Sequence, residues 1–256
     1  MKNSTGNLTK TFPAPRVVGS EAERCGDATD APPADLAAWR KALRGELIAR
    51  RLALPPETLD AHRRQIDRHL ERGFPNLARG VVAFCWPYKN EYDARFLVRR
   101  LRDAGATTAL PVVVAPGSPL AFREWHPGVK LAKGALGIPY PADGAGIVPT
   151  TVLLPAPGFD DAGYRLGYGG GFFDRTLAAL EKRPHVIAVA HEVAHIPTIY
   201  PQPWDVPVDF VVTERGIYER REGKLEFLGA PGPAGSRMAS PVCYADEVDP
   251  GYFGGE

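Results

Sequence analysis

The sequence predicts a single three-layer α/β domain, a mostly parallel sheet flanked by helices, with flexible extensions at both ends. Three observations predict it. Short apolar, β-branched runs alternate along the chain with segments of helical periodicity, the pattern of a sheet covered on both faces. The composition, 44% hydrophobic and 24% charged over 256 residues, suits one ordinary buried core. Residues 1–34 and 229–256 are instead rich in Gly, Pro, Ser and charge and lack periodicity, so they read as extensions, or as a lid if they fold back.

Within the body, 35–228, Leu36, Trp39, Leu43 and Leu47 recur at steps of three and four, which marks an amphipathic helix. A second helix is expected over 56–72, with Leu59, Ile66 and Leu70 on one face. The run 81–86 reads as a buried strand, 92–104 as a helix closed by Gly105, and 110–114 and 151–154 as further strands. A glycine-rich turn then enters a helix over 172–181. Strands at 186–190 and 210–213 follow, and a hairpin over 217–228 turns near Glu222-Gly223.

Several function classes are excluded at this level. The formal net charge of +1 offers no general field for nucleic acid or anionic membrane. No apolar run approaches the roughly 20 residues of a membrane helix. Cys25, Cys85 and Cys243 are too scattered for a disulfide framework or zinc ribbon, which suits a reducing cytoplasm. Soluble small-molecule partners are expected, on a monomer or weak homodimer.

Four features carry chemistry. In Arg165-Leu166-Gly167-Tyr168-Gly169-Gly170-Gly171-Phe172-Phe173-Asp174, four glycines lie between a strand and a helix. Lacking Cβ atoms, they let successive N–H groups converge on phosphate oxygens, and the helix adds its positive end. Asp174 in the first turn can hold magnesium beside phosphate. The same cluster can equally be a plain tight turn. Neither the dinucleotide fingerprint nor the Walker pattern fits, since Phe172 stands where a glycine would be needed. Second, Arg40-Lys41-Ala-Leu-Arg44 stacks two cations on one helical face, either a solvated surface or a polyanion clamp. Third, Trp86 and Glu91 lie between a strand end and a helix start, where α/β proteins place ligands, although Asn90 or Glu91 can simply cap the helix. Fourth, Asp209 precedes a strand and is either a second magnesium-side carboxylate or a strand-edge residue.

Taken in this order, the features resemble the 5-formyltetrahydrofolate cyclo-ligase (methenyltetrahydrofolate synthetase) family over residues 39–213. The most specific part is Gly158-Phe-Asp-Asp-Ala-Gly-Tyr-Arg-Leu-Gly-Tyr-Gly-Gly-Gly-Phe-Phe-Asp-Arg-Thr-Leu177, and Gly137-Ile138-Pro139 resembles a further landmark. The resemblance implies a Rossmann-like domain and ATP-dependent conversion of 5-formyltetrahydrofolate to 5,10-methenyltetrahydrofolate, with Mg2+ as cofactor. It implies that Arg40, Lys41, Arg44 and residues Arg165, Leu166, Gly167, Tyr168, Gly169, Gly170, Gly171, Phe172 and Phe173 hold ATP. By position, Trp86, Glu91 and Tyr168 through Phe172 would face folate, Asp174 and Asp209 magnesium, and Arg165 and Asp174 the reaction. The chain departs from the family pattern at Arg40, commonly Lys, at Trp86, commonly small or aliphatic, and at Phe173, usually Tyr. A family relative acting on another formylated compound, and a non-catalytic folate-binding protein, are the alternatives.

His191-Glu-Val-Ala-His195 spells the zinc-protease pattern H-E-x-x-H. An apolar β-like run leads straight into it and Ile196-Pro197 follows, so the helix that this chemistry needs is not expected.

Overall fold

The structure, a computed structural model, describes residues 31–134 and 137–232. All of the expected extensions except 31–34 and 229–232 lies outside the described residues, as do Cys25 and Cys243.

Asp35 opens α1 (Leu36–Leu52), its side chain accepting the Ala38 N–H at 2.9 Å. α2 (Pro56–Gly73) begins with proline, whose missing N–H would be unpaired there in any case. A 3-10 turn, Pro75–Arg79, leads into β1 (Val81–Phe84). β1 ends earlier than the expected residue 86, ahead of Trp86-Pro87, where proline cannot donate to a ladder. α3 (Arg95–Asp103) starts three residues later than the periodicity suggests. Asp93 accepts the Arg95 N–H at 3.1 Å, and Tyr92 turns into the core, its hydroxyl donating to Asp67 at 2.5 Å. Gly105, at φ 109°, provides the left-handed turn that ends α3.

The strands β2 (Thr107–Val112), β3 (Ala121–Glu124), β4 (Leu131–Lys133), β5 (Pro139–Pro141), β6 (Thr151–Pro155), β7 (Gly158–Asp160) and β8 (Arg165–Leu166) precede α4 (Phe172–Ala179). Then come β9 (His185–Val189), β10 (His195–Ile196), β11 (Phe210–Val212), β12 (Ile217–Arg221) and β13 (Lys224–Gly229). Eight of these strands form the main sheet in the order β13-β12-β11-β9-β6-β1-β2-β3. β2, β1, β6, β9 and β11 are mutually parallel, and only the edge pairings are antiparallel. Counted along the chain, the parallel strands lie in the order 2-1-3-4-5. This is the second common doubly wound order, not the 3-2-1-4-5-6 of Rossmann dinucleotide folds, so the Rossmann-like detail is corrected. The switch point falls between β1 and β6.

The apolar runs are continuous because both sheet faces are covered. Val82, Phe84, Leu153, Ile187 and Val189 meet Ile66 and Leu70 of α2 and Leu97 of α3. Ala83, Val152, Leu154, Val186 and Ala188 meet Leu177 of α4 and Phe159 of β7. A three-stranded sheet, β10-β7-β8, lies beyond that second face. α1 packs on it through Leu47, against Leu166 and Ile199. Gly158 permits this approach, because a Cβ there would sit 2.7 Å from Leu47 Cδ1. The small sheet thereby brings the basic face of α1 to the loop that follows β8. Glu222 and Gly223, both at positive φ (48° and 83°), make the expected hairpin turn.

Candidate active site at the switch point

The site is built from three pieces: α1, the glycine loop 167–171 between β8 and α4, and the loop 86–93 that leaves the carboxyl end of β1. In the glycine loop the backbone alternates, with Gly169 at φ 92° and Gly171 at φ 61°. Positive φ at alternate residues turns neighbouring amides to one side, and glycine takes it without steric cost. Among the described residues, no N–H of 167–171 donates a hydrogen bond. The loop is therefore not a strand, and its donors remain available at the start of α4, where the helix end is positive.

Arg44 reaches this loop from α1. Its Nε donates to Gly167 O at 2.5 Å, and a Cβ on Gly169 would lie 3.5 Å from its Nη2. Burial, and secondly the Arg40 charge, lower the Arg44 pKa from its ordinary value, so this guanidinium is poised to gain from an anion. Arg40 is differently employed. It pairs with Asp205 at 2.7 Å and donates to the carbonyls of Ile199 at 3.0 Å and Tyr200 at 2.8 Å. Lys41 is exposed.

Arg51, two turns beyond Arg44, is the residue that the sequence reading missed. It continues the 40, 44, 47 series by another four residues, which was the available signal. Nearly fully buried, it donates to Lys89 O at 2.8 Å and to the Tyr168 hydroxyl at 3.1 Å, and faces Glu91 Oε1 at 3.7 Å. Tyr168 donates to the same oxygen at 2.5 Å, and the Tyr88 N–H donates to Oε2 at 3.1 Å. Burial raises the Glu91 pKa despite these partners. The loop 86–93 holds the carboxylate in place by two consecutive left-handed residues, Lys89 at φ 50° and Asn90 at φ 58°. Tyr88 and Tyr168 meet edge-on, ring centroids 5.7 Å apart. Trp86 is half-buried, with the Arg95 guanidinium 4.9 Å above its ring.

Asp174 accepts from buried Arg165 at 2.9 Å and from the Val206 N–H at 3.1 Å, both through Oδ1. Oδ2 makes no hydrogen bond among the described residues. Burial lowers the Arg165 pKa and the Asp174 charge opposes it. Asp209 is not brought to this cluster. It lies at the amino end of β11, accepting from Arg183 at 2.6 Å and the Val186 N–H at 2.8 Å, so both its oxygens are committed. Phe173 packs against the second core cluster, where a hydroxyl would need a buried partner. Phe172 has the Arg175 guanidinium 5.2 Å from its ring centroid.

The H-E-x-x-H pattern forms no zinc-protease helix: Glu192–Ala194 is a single 3-10 turn. Its histidines diverge. His195 stacks on Phe159 at 4.6 Å and meets Asp161 at 2.8 Å, while His191 is buried against His62. Burial holds His191 neutral, its pKa lowered to about 4.

Fold and site together define an α/β protein with a crevice at the carboxyl ends of its parallel strands, where a basic helix meets a glycine-rich loop. Residues 36–214 match the 5-formyltetrahydrofolate cyclo-ligase family, and the chain belongs to that family. It is therefore an enzyme of the ligase class. It is 30% identical over 178 residues to the 5-formyltetrahydrofolate cyclo-ligase of Escherichia coli (strain K12), covering 66% of this chain and 97% of that protein. It is 32% identical over 190 residues to that of Mycolicibacterium smegmatis, covering 70% and 96%. The solved structure of Aquifex aeolicus 5,10-methenyltetrahydrofolate synthetase superposes with a TM-score of 0.62 at 26% identity, covering 72% of this chain and 94% of that one. Among the described residues, no helix is long and apolar enough to cross a membrane.

Proposed function

We propose that this chain converts 5-formyltetrahydrofolate to 5,10-methenyltetrahydrofolate with ATP as co-substrate, releasing ADP and phosphate. The observation that carries this reading is the run of amides at 167–171, undonated among the described residues, with the Arg44 guanidinium beside the loop. Such a nest suits a triphosphate. The formyl oxygen attacks the γ-phosphorus, and the bond to the β–γ bridging oxygen breaks to release ADP. The nitrogen at folate position 10 then attacks the activated carbon and loses its proton, and phosphate departs with the former formyl oxygen. Positioning and charge neutralisation are the protein's share of this chemistry.

Glu91 retains unused lone pairs for N–H donors of a pterin-like ring, and Arg51 and Tyr168 fix its orientation. Trp86 lies on the same loop, its ring packed on the core and met by the Arg95 guanidinium. For magnesium, the residues fit in part. Asp174, with Oδ2 unbonded among the described residues, suits a site in which one carboxylate and the phosphates share the ion, whereas Asp209 stands at the amino end of β11, away from that cluster. When bound there, the ion would neutralise phosphate charge.

The test follows methenyl product by absorbance, with ADP measured alongside. Product and ADP should appear one for one, and Asp174→Asn should lower turnover by about 100-fold or more. A wild-type chain that yields no product, yet is thermally stabilised by the folate, would instead be a binding protein.

A further inference from the structure

One cluster remains outside the proposed reaction. His62 on α2 and His191, in the turn after β9, point their Nδ1 atoms at each other across 3.1 Å. Glu214, just past β11, brings its carboxylate 3.5 Å from His62 Nδ1 and 4.0 Å from His191 Nδ1. The three ligand atoms all lie within 4.8 Å of one another. We propose that His62, His191 and Glu214 form a site for a divalent transition-metal ion of the zinc class, separate from any magnesium held with phosphate.

The tautomers support this. His191 Nε2 lies 3.2 Å from the carbonyl oxygen of Asn90, which can only accept, so Nε2 carries the proton of the neutral ring. Nδ1 is then a lone pair aimed into the cluster. An outer-shell carbonyl that orients an imidazole in this way is the usual companion of a metal-bound histidine. Glu214 is also held from behind, both oxygens accepting the Glu192 N–H at 3.1 and 3.2 Å. Two imidazoles and one carboxylate form a donor set for zinc rather than magnesium, which prefers oxygen. The His62 and Glu214 side chains are 21% and 14% exposed, so an ion can enter and a fourth position can stay open to water. Of the H-E-x-x-H pattern, only its first histidine belongs to this site.

The site also reaches the candidate active site. Asn90 precedes Glu91, and the carbonyl of Lys89 is held by Arg51. An ion on His191 would therefore fasten α2 and the β11 end to the loop that presents Glu91.

Binding is tested on the full chain, freed of any affinity tag and stripped with chelator. Co2+ is titrated with visible absorption as readout, and Zn2+ stoichiometry is measured by equilibrium dialysis. One ion per chain is expected, with Zn2+ displacing Co2+ and excess Mg2+ leaving it bound. His62→Ala and Glu214→Gln should each weaken binding by about 100-fold, at least the loss seen when an outer-shell partner is removed. His195→Ala should bind as the wild type does. If Glu214→Gln fails to fold, the partly exposed His62 position carries the test through His62→Ala and His62→Gln. Absence of cobalt binding, binding unaltered by His62→Ala, or binding lost with His195→Ala would each overturn the assignment.

Discussion

At the scale of single residues, the decisive interaction is one that periodicity hinted at and no motif spells. Arg51 and Glu91 are almost fully buried, and each is the other's counter-charge. Breaking a buried pair costs more than the pair contributes, because the remaining charge stays behind in a poor solvent. Arg51→Met should therefore destabilise the protein by about 3 kcal/mol, the Glu91 carboxyl taking up a proton. Adding Glu91→Gln should recover part of that loss, since no charge is left unpaired. Denaturant unfolding of both singles and the double closes the cycle, and strictly additive losses would show that the two residues are uncoupled. Phe173 teaches the reverse lesson. As a letter it departs from the family pattern, yet its ring packs on the core. Asp209 was misleading for a similar reason: a carboxylate near a strand looks like a metal ligand until its partners, Arg183 and the Val186 amide, are seen.

Elements were legible where one physical rule governed them. β1, β6 and β9 announce themselves as apolar runs because both their faces are buried, and α1 and α2 show their stripes. The short sheet β10-β7-β8 and the β4–β5 hairpin were missed, since strands of two or three residues leave no period to count. α3 starts late because Tyr92 gains more from the buried Asp67 than from a helical turn. The glycine loop was legible in composition, while its available amides and its closeness to Arg44 needed tertiary contacts. That closeness makes Gly169→Ala informative. At φ 92° any side chain is strained by about 1–2 kcal/mol, and the new Cβ would rest 3.5 Å from the Arg44 guanidinium. The variant should stay folded and raise the KM for ATP by at least about 10-fold, with the folate KM little changed. Steady-state kinetics with each substrate varied in turn checks this, and equal effects on both KM values would argue that the loop does not serve the nucleotide alone.

At the scale of the molecule, the strand order explains why the pieces meet. Connections leaving β1 and β6 run in opposite lateral directions from the switch point, which opens a crevice between them. Into it β1 sends the Glu91 loop, and the chain after β6 builds the small sheet that carries both the glycine loop and α1. α1 is thus attached chiefly through Leu47 and its neighbours, and the contacts of Arg44 complete the join to the loop. A triphosphate gripped from both sides would add a tie between helix and loop, so the folded state should be stabilised by linkage. At about 100 times Kd, Mg·ATP should add about 2.7 kcal/mol, which for a protein of this size raises Tm by about 5–10 °C. Arg44→Gln should keep the ligand-free Tm within a few degrees while losing most of that rise at the same ATP concentration. AMP, lacking the phosphates that would span the nest, should shift neither protein. Thermal melts across an ATP titration measure this. An undiminished rise in Arg44→Gln would mean that the nucleotide is held elsewhere, even if turnover of the folate had been established.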